Sequence, residues 1–198
     1  ASNMSSVLNR EDQMSMFIND AKNRSINIIP PSVNESKALF YANKKGDIVY
    51  GLSAIKNVGT KSAQTLYEHR INNGSYKTLF DLCEIDSKAI NKKVLESLIF
   101  SGSCDCLEGN RSEKLKSIEV ALKYNQKMSK EANSSQSSLF SGDENLDSMQ
   151  PQLVQSDELK SSELLQFEKD VFGFYLLKNP LDKHKDDLIE LSNVGIKK

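Results

Sequence analysis

The chain has 198 residues, 38% of them apolar, with a formal net charge of −1 and three cysteines. That length allows one medium domain or two small ones, and the low apolar share predicts that part of the chain is unpacked. No apolar run approaches the roughly 18 residues of a membrane span, and an odd cysteine count makes a poor disulfide framework, so Cys83, Cys104 and Cys106 fit a reducing compartment. Residues 1–10 lack the charged and apolar regions of a signal peptide, and the missing initiator Met points to a fragment or a processed chain. The near-neutral charge hides a split. Residues 44–130 carry 15 basic and 10 acidic side chains, and residues 131–170 carry 2 basic and 9 acidic ones. A basic block can meet phosphates, while an acidic tract stays solvated.

In chain order, residues 9–23 predict a helix, with Met14, Phe17, Ile18 and Ala21 at helical spacing. The run Ile28-Ile29-Pro30-Pro31 ends it and forces an extended path. A β-hairpin follows, with strands over residues 39–41 and 48–50 and a turn at 44–47 containing Gly46. Two strands alone are marginal, so the hairpin should pack on a neighbour. Residues 61–70 predict a helix ended by Gly74, and "LFDLCEID" a short helical turn. Residues 87–102 predict a strong helix with Ile90, Val94, Leu95, Leu98 and Ile99 on one face, stopped at Gly102. Another helix opens near Arg111, with Asn110 as its cap and Glu113 three residues on. Periodicity is lost after Lys130, and seven of the 22 residues from 129 to 150 are serine, the composition of a linker. Order returns near Leu164: Leu165, Val171 and Phe172 have helical spacing, Gly173 marks a break and Pro180 a stop.

The stretch "LSAIKNVGTKSAQTLYEHR" places apolar Leu52 and Ile55 before a Val58-Gly59 turn, and Ala63 and Leu66 after it. Gly59 is expected to take a positive φ and to let a ligand approach without a Cβ in the way. The helix behind it starts with free amides, which attract phosphate. This is the pattern of a helix-hairpin-helix motif, which holds a nucleic-acid backbone without reading bases. Lys56 and Lys61 flank the turn, so residues Lys56, Asn57, Val58, Gly59, Thr60 and Lys61 form the first candidate contact set. "VLESLIFSGSCDCL" repeats the design with Ser101 and Gly102 in the turn, and Lys88, Lys92, Lys93, Arg111 and Lys114 lie around it. Two such hairpins in tandem can grip both strands of a duplex. Plain helix stops at Gly59 and Gly102, with the lysines on solvated faces, are the alternative.

No catalytic constellation emerges. His69 and His184 are far apart, and Cys104-Asp105-Cys106 lacks both C-x-x-C spacing and a second pair, which argues against zinc. There is no phosphate-binding G-x-x-x-x-G-K-[ST] loop. Asp105, Asp186 and Asp187 have no partner at metal-binding spacing.

The segments "NIIPPSVNES", "DIVYGLSAIKNVGTKSAQTLYEHR", "LFDLCEID", "INKKVLESLIFSGSCDCL" and "FEKDVFGFYLLKNPLDKH", in that order, closely resemble the bacterial DNA polymerase III alpha subunits. The resemblance covers most of the chain. It implies that residues 1–50 end the fingers region, 51–128 form a tandem helix-hairpin-helix domain on duplex DNA, 129–163 form a linker, and 164–198 lead into an oligonucleotide-binding domain. The expected fold is mainly α with one small β-hairpin. The family's catalytic aspartates and histidinol-phosphatase-like domain would lie upstream. The parent would be a cytoplasmic DNA-directed DNA polymerase using magnesium, working with other holoenzyme subunits, and this piece would hold no cofactor and polymerise nothing.

The same resemblance gives a role to "QSSLF" in the serine-rich stretch. Gln136, Ser137, Ser138, Leu139 and Phe140 match the family's motif for the ring-shaped sliding clamp: Gln, two variable residues, an aliphatic residue and Phe. An extended peptide can insert Leu139 and Phe140 into apolar pockets while Gln136 bonds at the rim. Ser137 stands where Leu is often favoured, which implies modest affinity. Two rivals stay open: a repair or recombination protein with borrowed hairpins, and a helical scaffold that never meets DNA.

Overall fold

The computed structural model describes residues 1–8, 10–85, 87–134 and 151–176, with the side chains of 129–134 left aside. Chain order is α1 (Ser2–Ser5), α2 (Glu11–Asn23), β1 (Ile28–Ile29), β2 (Tyr41–Ala42), β3 (Ile48–Val49), a 3-10 turn (Leu52–Ala54), α3 (Thr60–Asn73), α4 (Leu79–Cys83), α5 (Lys92–Phe100), α6 (Arg111–Ser134) and α7 (Ser161–Phe172). The fold is mainly helical with one small sheet, as expected from the sequence.

The hairpin does find a neighbour. β2 pairs antiparallel with β3, Tyr41 opposite Val49, and β1 pairs parallel with the other edge of β3, Ile28 opposite Ile48. Ile28 and Ile29, the first half of the "IIPP" segment expected only to run extended, therefore form a strand. The Ile48 N–H donates to the Asn27 carbonyl (2.9 Å) and the Tyr50 N–H to the Ile29 carbonyl (3.0 Å). Gly46 turns the hairpin at a φ of 87°.

Helix ends follow local chemistry. α3 stops at Gly74 (φ 93°) and α7 at Gly173, which is left-handed (φ 80°). Asn91 caps α5 by accepting from the Val94 N–H (3.1 Å). At α6, the Glu113 N–H donates to Asn110 Oδ1 (2.8 Å), and the Asn110 N–H donates to Glu113 Oε2 (2.9 Å), a reciprocal cap.

One buried apolar cluster runs from Met4 to Leu176. α6 packs across α4 and α5, and α7 lies against α5. Phe100 and Phe167 stack at 4.1 Å, and Phe172 meets Tyr50 edge-on at 5.0 Å. Burying side chains such as Leu79, Leu95, Leu98 and Ile99 contributes about 1.5–3 kcal/mol each. Arg70 is buried as well: its guanidinium donates to the carbonyls of Val33 and of Ser36 (2.7 Å for Ser36), fastening α3 to the loop after β1.

The span 129–163, expected to be a linker, includes described residues at both of its ends. α6 continues to Ser134. Residues 151–160 lie along α6 as a strap: the Val154 N–H donates to Ser117 Oγ (2.8 Å), and Asn110 Nδ2 donates to the Ser156 carbonyl (2.7 Å). α7 joins the core through Val171 and Phe172. The clamp motif Gln136–Phe140, the stop at Pro180 and residues 177–198 of the lead into a further domain lie outside the described residues. Among the described residues no helix is long and apolar enough to cross a membrane.

Candidate nucleic-acid interface

The Asn57–Gly59 turn is built from below. Leu52, Ile55 and Val58 are buried, and so are Ala63 and Leu66 on α3, so apolar contacts hold both flanks of the turn. The expected helix before it is only the 3-10 turn, closed by Ala54 N–H to Gly51 carbonyl (3.1 Å) and Ile55 N–H to Leu52 carbonyl (3.2 Å). The conformational expectation for Gly59 is overturned: its φ is −65°, and the left-handed residue is Asn57, at φ 67°. Asn tolerates that region better than most side chains. The other half of the expectation for Gly59 fits the geometry. A Cβ at Gly59 would meet nothing within 4 Å, so the position opens outward.

α3 begins at this opening. No side chain caps it, and the Ala63 N–H is the first to bond back, to the Gly59 carbonyl (3.0 Å). The amides of Thr60, Lys61 and Ser62 are left without a helical partner. Lys56, Asn57, Gly59, Thr60 and Lys61 are exposed, while Val58 is buried and shapes the turn from inside. An open cavity of about 550 Å³ adjoins the turn, lined also by Met14, Val171 and Phe172. Glu11 and Lys56 both contribute to that lining, and Lys61 lies outside it.

The second set is arranged differently. Gly102 does take a positive φ (75°), and a Cβ there would strike the Arg111 guanidinium. Arg111 is engaged in a bidentate pair with Asp105, at 2.8 and 2.6 Å, and also donates to the Phe100 carbonyl (3.3 Å). Its side chain is 13% exposed. Ser101 is buried, donating to the Leu98 carbonyl (3.0 Å) and sharing a hydrogen bond with Ser103. Lys114, expected to face phosphate, is 1% exposed and donates to the Gly109 carbonyl (2.5 Å). It tightens the turn from within, so its assignment as an exposed contact is corrected. Spacing carried the signal: residues 114, 117, 118 and 121 share the buried face of α6.

The start of α6 is filled as well. Besides the Asn110–Glu113 cap, the Arg111 N–H donates to Glu158 Oε2 from the strap (3.2 Å). Partial burial works against ionisation of Glu158. The backbone N–H groups of Leu159, Arg111 and Ser112 and the Arg111 charge outweigh it and hold the carboxyl below its ordinary range. The chain's own carboxylates thus occupy the amides that the sequence reserved for phosphate.

The remaining lysines gather elsewhere. Lys88, Lys92 and Lys93 are exposed where α5 begins. Lys92 pairs with Glu119 of α6 (2.7 Å). The start of α3 adjoins the residues just ahead of α5 through Ser62 Oγ, which donates to the Ala89 carbonyl (2.7 Å), and the turn before α3 reaches the middle of α5, where Asn57 Nδ2 donates to Ser97 Oγ (3.0 Å). The structure therefore draws Lys56, Lys61, Lys88, Lys92 and Lys93 toward one region and leaves Arg111 and Lys114 in another.

The helix-hairpin-helix motif family matches residues 25–114, which takes in the sheet, both turns and α3 to α5. The chain is 40% identical over 190 residues to the DNA polymerase III subunit alpha of Buchnera aphidicola from Acyrthosiphon pisum, covering 95% of this chain. It is 38% identical over 194 residues to that of Bacillus subtilis, 98% of this chain, and 33% identical over 199 residues to that of Borreliella burgdorferi, 99% of this chain. The chain belongs to the DNA polymerase III alpha subunit family. It spans 16–17% of the length of these relatives, so it corresponds to one segment of such a subunit. Among the described residues no three His, Cys, Asp or Glu side chains come together as a metal site.

Proposed function

We propose that this chain is the part of a bacterial replicative DNA polymerase that holds the backbone of duplex DNA without reading sequence. The observation that carries the reading is the uncapped start of α3, opening beside Gly59 and flanked by exposed Lys56 and Lys61. Free amides and a helix dipole favour an anion there, and two ammonium groups add charge. Lys88 and Lys93 broaden the basic face. Polymerisation with magnesium, in the bacterial cytoplasm and alongside the other holoenzyme subunits, belongs to the parent protein in this reading. The residues of this chain contribute grip and not bond making.

The test is binding to random-sequence duplex across a salt series. Each phosphate neutralised contributes about 0.9 to the slope of log affinity against log salt. Reversing Lys56 and Lys61 to Glu should weaken binding and flatten the slope. Unchanged binding in that variant would remove the site from this turn.

A second role rests on Gln136, Leu139 and Phe140. This short apolar motif in a serine-rich acidic stretch suits insertion into the sliding clamp. Two buried apolar side chains contribute about 3–6 kcal/mol, and the ordering of the peptide offsets part of it, which corresponds to binding at tens of micromolar or weaker. Tethering on a shared DNA would make that sufficient. Calorimetry with the clamp should give saturable heat that is lost in the Leu139→Ala/Phe140→Ala variant. No heat at about 1 mM clamp, well above that range, would remove the clamp from the proposal.

A further inference from the structure

Asn57 is the residue that bends the turn, and its side chain does not point at a ligand. Its Nδ2 is committed to Ser97 Oγ at 3.0 Å. Ser97 is 2% exposed, on the same helix as buried Val94, Leu95, Leu98 and Ile99. A hydroxyl in that setting needs a partner, and the turn supplies one. Ser62, in the first turn of α3, makes a second tie, to the Ala89 carbonyl just ahead of α5. The two ties, at positions 57 and 62, span the turn and the first residues of α3. Glycine at position 57 would give the same backbone freedom without the tie.

We propose that Asn57 is a positioning residue: its bond to Ser97 locks the Asn57–Gly59 turn onto α5, so that the start of α3 and the basic start of α5 meet one duplex as a single rigid surface. The proposal rests on the duplex-binding reading above. A direct contact from Asn57 to DNA is the competing account, and buried Ser97 separates the two because it cannot reach DNA itself.

The experiment uses the whole chain with Asn57→Gly, Ser97→Ala and the double variant. Affinity for random-sequence duplex is read across a salt series, and amide exchange at Val58 and Ala63 is read without DNA. A lost hydrogen bond of ordinary worth predicts about a threefold to tenfold weakening in each single variant. The double variant should bind no more weakly than either single one, and the salt slope should stay unchanged because no charge is removed. Exchange at Val58 and Ala63 should quicken in both single variants. Weakening in Asn57→Gly with wild-type affinity in Ser97→Ala would overturn the proposal in favour of direct contact. Unchanged exchange in Ser97→Ala would overturn the tie itself. If the unaltered chain bound no duplex at low salt, the duplex reading would fall, and the exchange rates would still decide whether Asn57 locks the turn.

Discussion

The two glycine turns of this chain share a sequence plan and differ in what fills them. At Asn57–Gly59 the helix behind the turn starts uncapped, the glycine opens outward and both flanking lysines are exposed. At Gly102 the following helix starts against Glu113 and Glu158, Arg111 is held by Asp105, and Lys114 is buried under Gly109. The same pattern of glycine, basic residue and helix start can serve a ligand or serve the fold. The deciding factor is whether the chain brings its own carboxylates to the amides.

The sharpest way to break this comparison is a pair of lysine truncations. Lys114→Ala removes a buried donor and leaves the Gly109 carbonyl without its partner, and should cost about 2–3 kcal/mol in urea denaturation. Lys61→Ala, on the exposed side, should change stability by less than about 0.5 kcal/mol. Equal costs would mean that the two turns are not built differently. Glycines give the next contrast. Gly102→Ala places a Cβ at a left-handed φ and against Arg111, a cost of about 1–2 kcal/mol. Gly59→Ala has an ordinary φ and open space, so stability should move by no more than about 0.5 kcal/mol, while duplex affinity falls because the methyl stands in the phosphate approach.

Salt dependence separates the same lysines by another route. Lys61→Ala should lower the slope of log affinity against log salt by about 0.9, and any folded Lys114 variant should leave it unchanged. The smallest effect belongs to Glu158. Its carboxyl is held below the ordinary range, so its contribution is complete above about pH 4.3 and is lost as pH falls through its lowered value. Glu158→Gln should remove a few tenths of a kcal/mol at neutral pH, discounted for exposure, and flatten that part of the acid titration. A larger loss at pH 3 than at pH 7 would reverse the sign of this assignment.

Much of the fold could be read locally. Asn110 and Glu113 announced the start of α6, and Gly74 and Gly173 the ends of α3 and α7, because caps and left-handed stops are written within a few residues. β1 could not be read this way: Ile28 and Ile29 become a strand only because residues 48–50 arrive beside them. The strap was hidden for the same reason, since its partners Asn110 and Ser117 are remote in sequence. At the candidate site, the turn and its lysines were legible, but the left-handed position moved from Gly59 to Asn57. Both residue types tolerate that conformation, and the hydrogen bond that Asn57 makes to Ser97 joins two elements remote in sequence. Lys114 is a different case, because its place on the buried stripe of α6 was readable and its charge masked it.

The Lys56 amide, at the edge of the turn, donates to the Val171 carbonyl in the last turn of α7 (3.0 Å), while Phe172 lies against Tyr50. A main-chain bond therefore joins the candidate contact turn to the end of α7, so the backbone position of Lys56 is coupled to the anchoring of Val171 and Phe172 in the core.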